Sequence, residues 1–307
     1  MKLVICGNGF DQHHRLPTNY TDYCLFLNRN HPDIIRKMKF SDYFGGASTD
    51  INQTTNVFWT DVEGKLTYDF EAHLDNTLEE FSPNYMDEKT DYGGVEVHVE
   101  EGLSTFEDFT GLPFYEWLMT IPVSGTPQSS LFTLSPDDYY VTYNYTDTLE
   151  TVYGIPKDHI LHIHGSICDL KNPKSNFEVH SEIQFGNPNS SKTNVEQILD
   201  SKYKNTEEEY FVRNAIPKLA RTCEAMSKDL KSNYQSLRRF LSGKTINEVV
   251  VMGHSFFGVD KAYYDDIFVK QFRGLPWSFY WYSPNDLKNI QQAQSIFNLS
   301  NVNSIRW

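Results

Sequence analysis

Four short segments of the 307-residue chain carry residue types from which a site can be built: Gly7-Asn8-Gly9-Phe10-Asp11, Thr142-Tyr143-Asn144-Tyr145, His162-Ile163-His164-Gly165-Ser166 and Gly253-His254-Ser255. The first is a tight glycine turn before a helix start, the pattern in which backbone N–H groups meet a phosphate. The run Gly7, Asn8, Gly9, Phe10, Asp11 is therefore a candidate binding loop, and Asp11 is equally placed to cap the helix. Asn144 ends a strand-like run, where it can serve a site or cap the helix behind it. His164, beside Gly165 at a strand end, is the better catalytic candidate of the two nearby histidines. An imidazole with an ordinary pKa near 6.5 accepts a proton around neutral pH. His162 reads as a core histidine, and the two share a face only if the strand runs through both. Gly253, His254 and Ser255 close a fourth strand, and Asp260 beyond them reads as a helix N-cap.

Two other chemistries draw on the same residues. His162, His164, His254 and Asp11 are of metal-ligating type, but the glycine loops point to phosphate instead and no metal is expected. A serine hydrolase needs a G-x-S-x-G elbow, and Gly253-His254-Ser255-Phe256-Phe257 lacks the second glycine.

The elements that hold these segments read as alternating strands and helices. Leu3 to Cys6, Tyr139 to Tyr143, Ile160 to His164, Glu248 to Met252, Trp277 to Tyr282 and Val302 to Trp307 read as strands. Helices are expected over Tyr20–Leu27, capped by Thr18 or Thr21, over Tyr68–Phe81, around Phe114 to Leu118, over Thr146–Tyr153, within 206–241, over Asp260–Phe272 and over Asp286–Phe297. The stretch Thr90 to Gly102 alternates like a strand or extended loop. The pattern predicts one α/β nucleotide-binding domain over 1–307, an open and mostly parallel sheet. A largely helical or irregular insertion, 31–135, lies between the first two core strands, and 166–205 forms a long polar loop or lid. In such a sheet ligands bind beyond the carboxyl ends of the strands, so the four segments converge on one crevice.

Composition narrows the partners. Acids outnumber bases 41 to 27, a net charge of -14, which argues against a long duplex nucleic acid. No apolar run approaches the roughly 20 residues of a membrane span. Cys6, Cys24, Cys168 and Cys223 form no C-x-x-C pair, which excludes a four-cysteine zinc site. With no signal-peptide pattern, a cytoplasmic protein with reduced cysteines is expected. A homo-oligomer is left open.

The combination of Gly7-Asn8-Gly9-Phe10-Asp11, Leu16-Pro17-Thr18, Trp59-x-Asp61-Val62-Glu63, Asn144-Tyr145-Thr146 with Leu149-Glu150, His164-Gly165 and Gly253-His254-Ser255 resembles the AbiH family of bacterial phage abortive-infection proteins. More distantly, the landmarks resemble the sirtuin-like version of the Rossmann-like fold, at Gly7, Gly9, Asn144, His164, Gly253 and Ser255. That resemblance implies NAD as substrate or ligand and hydrolysis of its nicotinamide–ribose bond. Asn144 would position water or ribose hydroxyls, His164 would accept a proton, and Asp11 would contact ribose. Backbone N–H groups from Gly7 to Gly9 would meet the pyrophosphate. The chain departs from the pattern at Thr146, where an Asp is expected, and in having no zinc-binding cysteine pairs, which disfavours protein deacylation. A phage-derived trigger fits the family. The competing readings are a non-catalytic nucleotide-binding or phage-sensing module and, behind it, a metal-dependent hydrolase.

Overall fold

A computed structural model describes residues 1–40, 59, 61–65, 75, 77–79, 94–124, 132–188, 199–206, 208–225 and 227–307. Six strands form one open, all-parallel sheet: β1 (Lys2–Cys6), β2 (Tyr139–Thr142), β3 (Ile160–His162), β4 (Glu248–Met252), β5 (Trp277–Trp281) and β6 (Val302–Arg306). Their spatial order is β3-β2-β1-β4-β5-β6. The chain winds outward from β1 to β3, then returns to start again at β4, so the topological switch lies between β1 and β4. The expected α/β, Rossmann-like sheet is thus present.

The central strands are apolar throughout because both faces are covered. Leu3, Ile5, Val249, Val251 and Phe279 face one layer, with Leu237, Tyr263, Phe268 and Ile290 from the helices Leu230–Leu241, 261–272 and Pro284–Ile296. Val4, Cys6, Val250 and Met252 face the other, with Phe10, Phe132, Leu149 and Ile160. A third core stands beside the sheet. The helices Tyr20–Asn30, Pro32–Phe40, Gly94–Thr110 and Leu112–Met119 enclose Tyr23, Phe106, Phe109, Phe114 and Trp117. Tyr23 is buried whole because its hydroxyl donates to the Phe109 carbonyl.

Three local expectations are corrected. The stretch Thr90 to Gly102, read as alternating, enters the helix Gly94–Thr110. Val95, Val99, Leu103, Phe106 and Phe109 are buried there and Val97 is exposed, a helical period; the short Val95-Val97-Val99 alternation hides it. The helix Tyr20–Asn30 is capped by Asn19, neither Thr18 nor Thr21, in a capping box with Asp22. Within the polar stretch 166–205, Asn176–Glu182 is helical and docks on the third core, where its Asn176 accepts from Leu112 N–H and its His180 meets Thr110. The helix read over Tyr68–Phe81 lies mostly outside the described residues. Among the described residues no helix is long and apolar enough to cross a membrane.

Candidate functional site

The loops after β1 and β4 interlock. Gly7 N–H donates to Met252 O at 3.1 Å, Gly9 N–H to Gly253 O at 2.8 Å, and Phe10 N–H back to Gly7 O at 2.8 Å. A Cβ on Gly9 would stand 2.8 Å from Gly253 Cα, and one on Gly253 only 2.2 Å from Phe10 N. Gly253 also has φ of 60°, a backbone conformation glycine adopts freely. The glycines are therefore required by loop-to-loop packing. The expected pyrophosphate cradle is corrected here, because the Gly7 and Gly9 amides already have acceptors inside the protein. Phe10, read as a binding residue, is fully buried under the sheet against Phe132 and Tyr153.

Asp11 is the hub of this side. It lies inside the helix Asn8–His13, whose N-cap is Gly7, so the capping alternative does not hold. Thr146 Oγ1 donates to Asp11 Oδ2 at 2.6 Å and Thr148 Oγ1 to Oδ1 at 2.8 Å. Burial pushes the carboxyl up to about 6, against the hydroxyls that stabilise its charge. Asn144 caps no helix either: its Nδ2 donates to Gly7 O at 3.1 Å, fixing the β2 end to the β1 turn. Thr146 holds a carboxylate from the opposite loop.

The two histidines after β2 part company because β3 ends at His162. His162 turns to Glu150 at 3.0 Å and to the Asn144 carbonyl, as a core histidine does. His164 faces a buried charged cluster. Its Nε2 lies 3.7 Å from Asp260 Oδ1 and 3.4 Å from the Tyr263 hydroxyl. His254 Nε2 lies 3.4 Å from Asp260 Oδ2, and its Nδ1 meets the Tyr264 hydroxyl at 2.9 Å. Lys228, with no exposed side-chain surface, reaches Glu63 at 2.8 Å and Asp260 at 3.6 Å. Asp260 occupies the N-cap position before the helix 261–272 but makes no side-chain cap bond; its carboxylate serves the cluster, which corrects its reading as a cap.

Electrostatics in this cluster follow from burial around one ammonium. Burial and the nearby Lys228 charge push His164 down to about 3, so its imidazole is neutral. Burial alone would raise Asp260, but Lys228 and the two histidines outweigh it and hold it below the usual carboxylate range. Burial raises Glu63, with Lys228 opposing and Asp260 adding to the rise.

Both sides open onto one cavity of about 520 Å³ at the switch point. Asn8, Asp11, Asn144, His164, Gly253, His254 and Ser255 line it, together with Glu63 and Asp260; of the expected site residues, Gly7, Gly9 and Phe10 do not. Five buried polar atoms of lining residues have no hydrogen-bond partner: Thr18 Oγ1, Glu63 Oε1, Tyr143 OH, His254 Nε2 and Asp260 Oδ1. Buried polar atoms are nearly always paired, so their concentration on one cavity marks a polar pocket that water or a polar ligand would satisfy. Among the described residues no three His, Cys, Asp or Glu are grouped to hold a metal; of the set His162, His164, His254 and Asp11, the last three line the cavity and His162 turns to Glu150.

Sequence reasoning missed Glu63 and Lys228 as site residues. Glu63 stood within the Trp59-x-Asp61-Val62-Glu63 landmark, which was a signal for it; Lys228 had none. The family model described as bacteriophage abortive infection AbiH matches residues 3–281. No curated protein and no solved structure matches the chain.

Proposed function

The chain belongs to the AbiH family of bacteriophage abortive-infection proteins, and from that premise we propose that its cavity takes NAD or a related nucleotide and hydrolyses the nicotinamide–ribose bond. The observation that carries this reading is the set of five buried polar atoms without a hydrogen bond around one cavity at the switch point of a parallel sheet. Breaking that bond needs no acid, because its electron pair returns to a cationic ring that departs neutral. The difficulty is the positive charge left on ribose and the proton of the attacking water.

Carboxylates meet the first need: Asp11, Glu63 and Asp260 all line the cavity. Asp11 meets the second. Pushed up to about 6, it is far better matched to neutral pH as a proton acceptor than His164 at about 3. His164 then acts as a neutral hydrogen-bonding group, and Asn144, held by Gly7, orients water or the ribose hydroxyls. Asn8, Gly253, His254 and Ser255 contact the remainder of the ligand. The strongest sequence argument for a non-catalytic module, Thr146 in place of an acid, loses weight because Thr146 holds Asp11 there.

Purified protein would be incubated with NAD, alone and with extract of phage-infected cells, and free nicotinamide measured. Release by the wild type is expected, falling about 100-fold in Asp11→Asn and strongly in Asn144→Ala and His164→Ala. No release in either condition, or equal release by all three variants, overturns the reading.

A further inference from the structure

We infer that the cavity wall formed by Glu63 and Asp260 is a subsite for a permanently cationic aromatic ring, with its extra carboxylate supplied by the segment between β1 and β2. Two carboxylates share one ammonium there: Lys228 lies 2.8 Å from Glu63 and 3.6 Å from Asp260 and can neutralise only one of them. Asp11 and Asp61 add to the acidic lining, and among the described lining residues there is no lysine or arginine. Such a wall repels phosphate and attracts a cation.

A second observation points to a ligand at the same place. The Tyr143 side chain is over nine-tenths buried, lines the cavity between the His164 and His254 rings, and its hydroxyl has no partner. Aromatic residues share that lining: Tyr20, Phe114, Trp117, Tyr145 and Phe257. Aromatic faces combined with carboxylates are the surroundings in which a charge that cannot be neutralised by losing a proton is held best.

The inference rests on the proposed function only for which cation is cellular, so the probes carry neither ribose nor phosphate. Binding of 1-methylnicotinamide, whose ring is cationic, would be compared with that of neutral nicotinamide by calorimetry. The wild type is expected to prefer the cation by about tenfold or more. Glu63→Gln should cut that preference to about twofold while keeping the melting temperature within a few degrees of wild type, since Lys228 retains Asp260. Equal binding of the two probes by the wild type overturns the inference with no variant needed. An undiminished preference in a folded Glu63→Gln overturns the assignment to this wall. A preference without nicotinamide release from NAD upholds the subsite while the hydrolase reading falls; release without a preference does the reverse.

Discussion

On the β1 side of the cavity, the Gly7 and Gly9 amides, the Asn144 amide and both Asp11 oxygens are hydrogen-bonded within the protein. On the facing side, from Tyr143 through His254 to Asp260 and Glu63, each of the four residues leaves a buried polar atom without a hydrogen bond, although His254 and Asp260 are ion-paired. The first side, the Thr18 hydroxyl apart, is finished by folding. The second is left with groups that gain a hydrogen bond only from something that enters, so the first side holds its groups in place before anything binds and the second does not.

Substitutions on the two sides should therefore fail differently. The largest effect is expected at the interlock. Gly253→Ala places a Cβ 2.2 Å from Phe10 N at a φ of 60°, and should lose roughly 3 kcal/mol or more of stability in urea denaturation. A wild-type midpoint would break the idea that the β1 side is set by this contact.

Next comes the charged cluster. Lys228→Met leaves Glu63 and Asp260 buried together without their cation and should cost about 3 kcal/mol, whereas Glu63→Gln keeps one complete pair and should stay within about 1 kcal/mol. Equal losses from the two would show that the lysine is not shared.

The pH dependence of stability should pull in opposite directions from the two sides. Burial pushes Asp11 up to about 6, so the folded chain holds its proton more tightly than the unfolded chain does. Its contribution is complete below about pH 4 and is lost as pH rises through about 6. His164, pushed down to about 3, behaves oppositely. Its contribution is complete above about pH 6.5 and is lost as pH falls toward 3. Denaturant midpoints from about pH 4 to about pH 7 should rise more steeply in Asp11→Asn and less steeply in His164→Gln, each by up to 2–3 kcal/mol over the range. Parallel profiles for both variants and the wild type would remove the titrations from the account.

The smallest effect belongs to one hydroxyl. Thr148→Val removes a single donor to Asp11 and should cost about 1 kcal/mol while raising the pH at which Asp11 ionises. NMR titration of the Asp11 carboxyl reads the second effect directly.

Much of this was legible in the sequence, for local reasons. The apolar runs Leu3 to Cys6 and Val249 to Met252 mark strands buried on both faces, and the polar or glycine residue ending each marks the sheet's carboxyl edge. That was enough to bring Asp11, Asn144, His164 and His254 to one crevice. The same local view misread Gly7 and Gly9, because the close approach they permit is to a loop some 240 residues away rather than to a ligand. It also took Asp260 for a cap, since the position is right and only the distant partners Lys228, His164 and His254 turn the carboxylate elsewhere. Lys228 lies between Ser227 and Asp229, with nothing nearby to signal that its ammonium is buried.

The interlock of Gly9 with Gly253 also sets a timetable. During synthesis β1 emerges first, yet its β4 neighbour follows about 250 residues later, which at 5–20 residues per second is roughly 12–50 s of waiting. Until then the turn after β1 has no Met252 or Gly253 carbonyl to close on, and neither His254 nor Asp260 has been made. A nascent chain is thus without its crevice until most of its length exists.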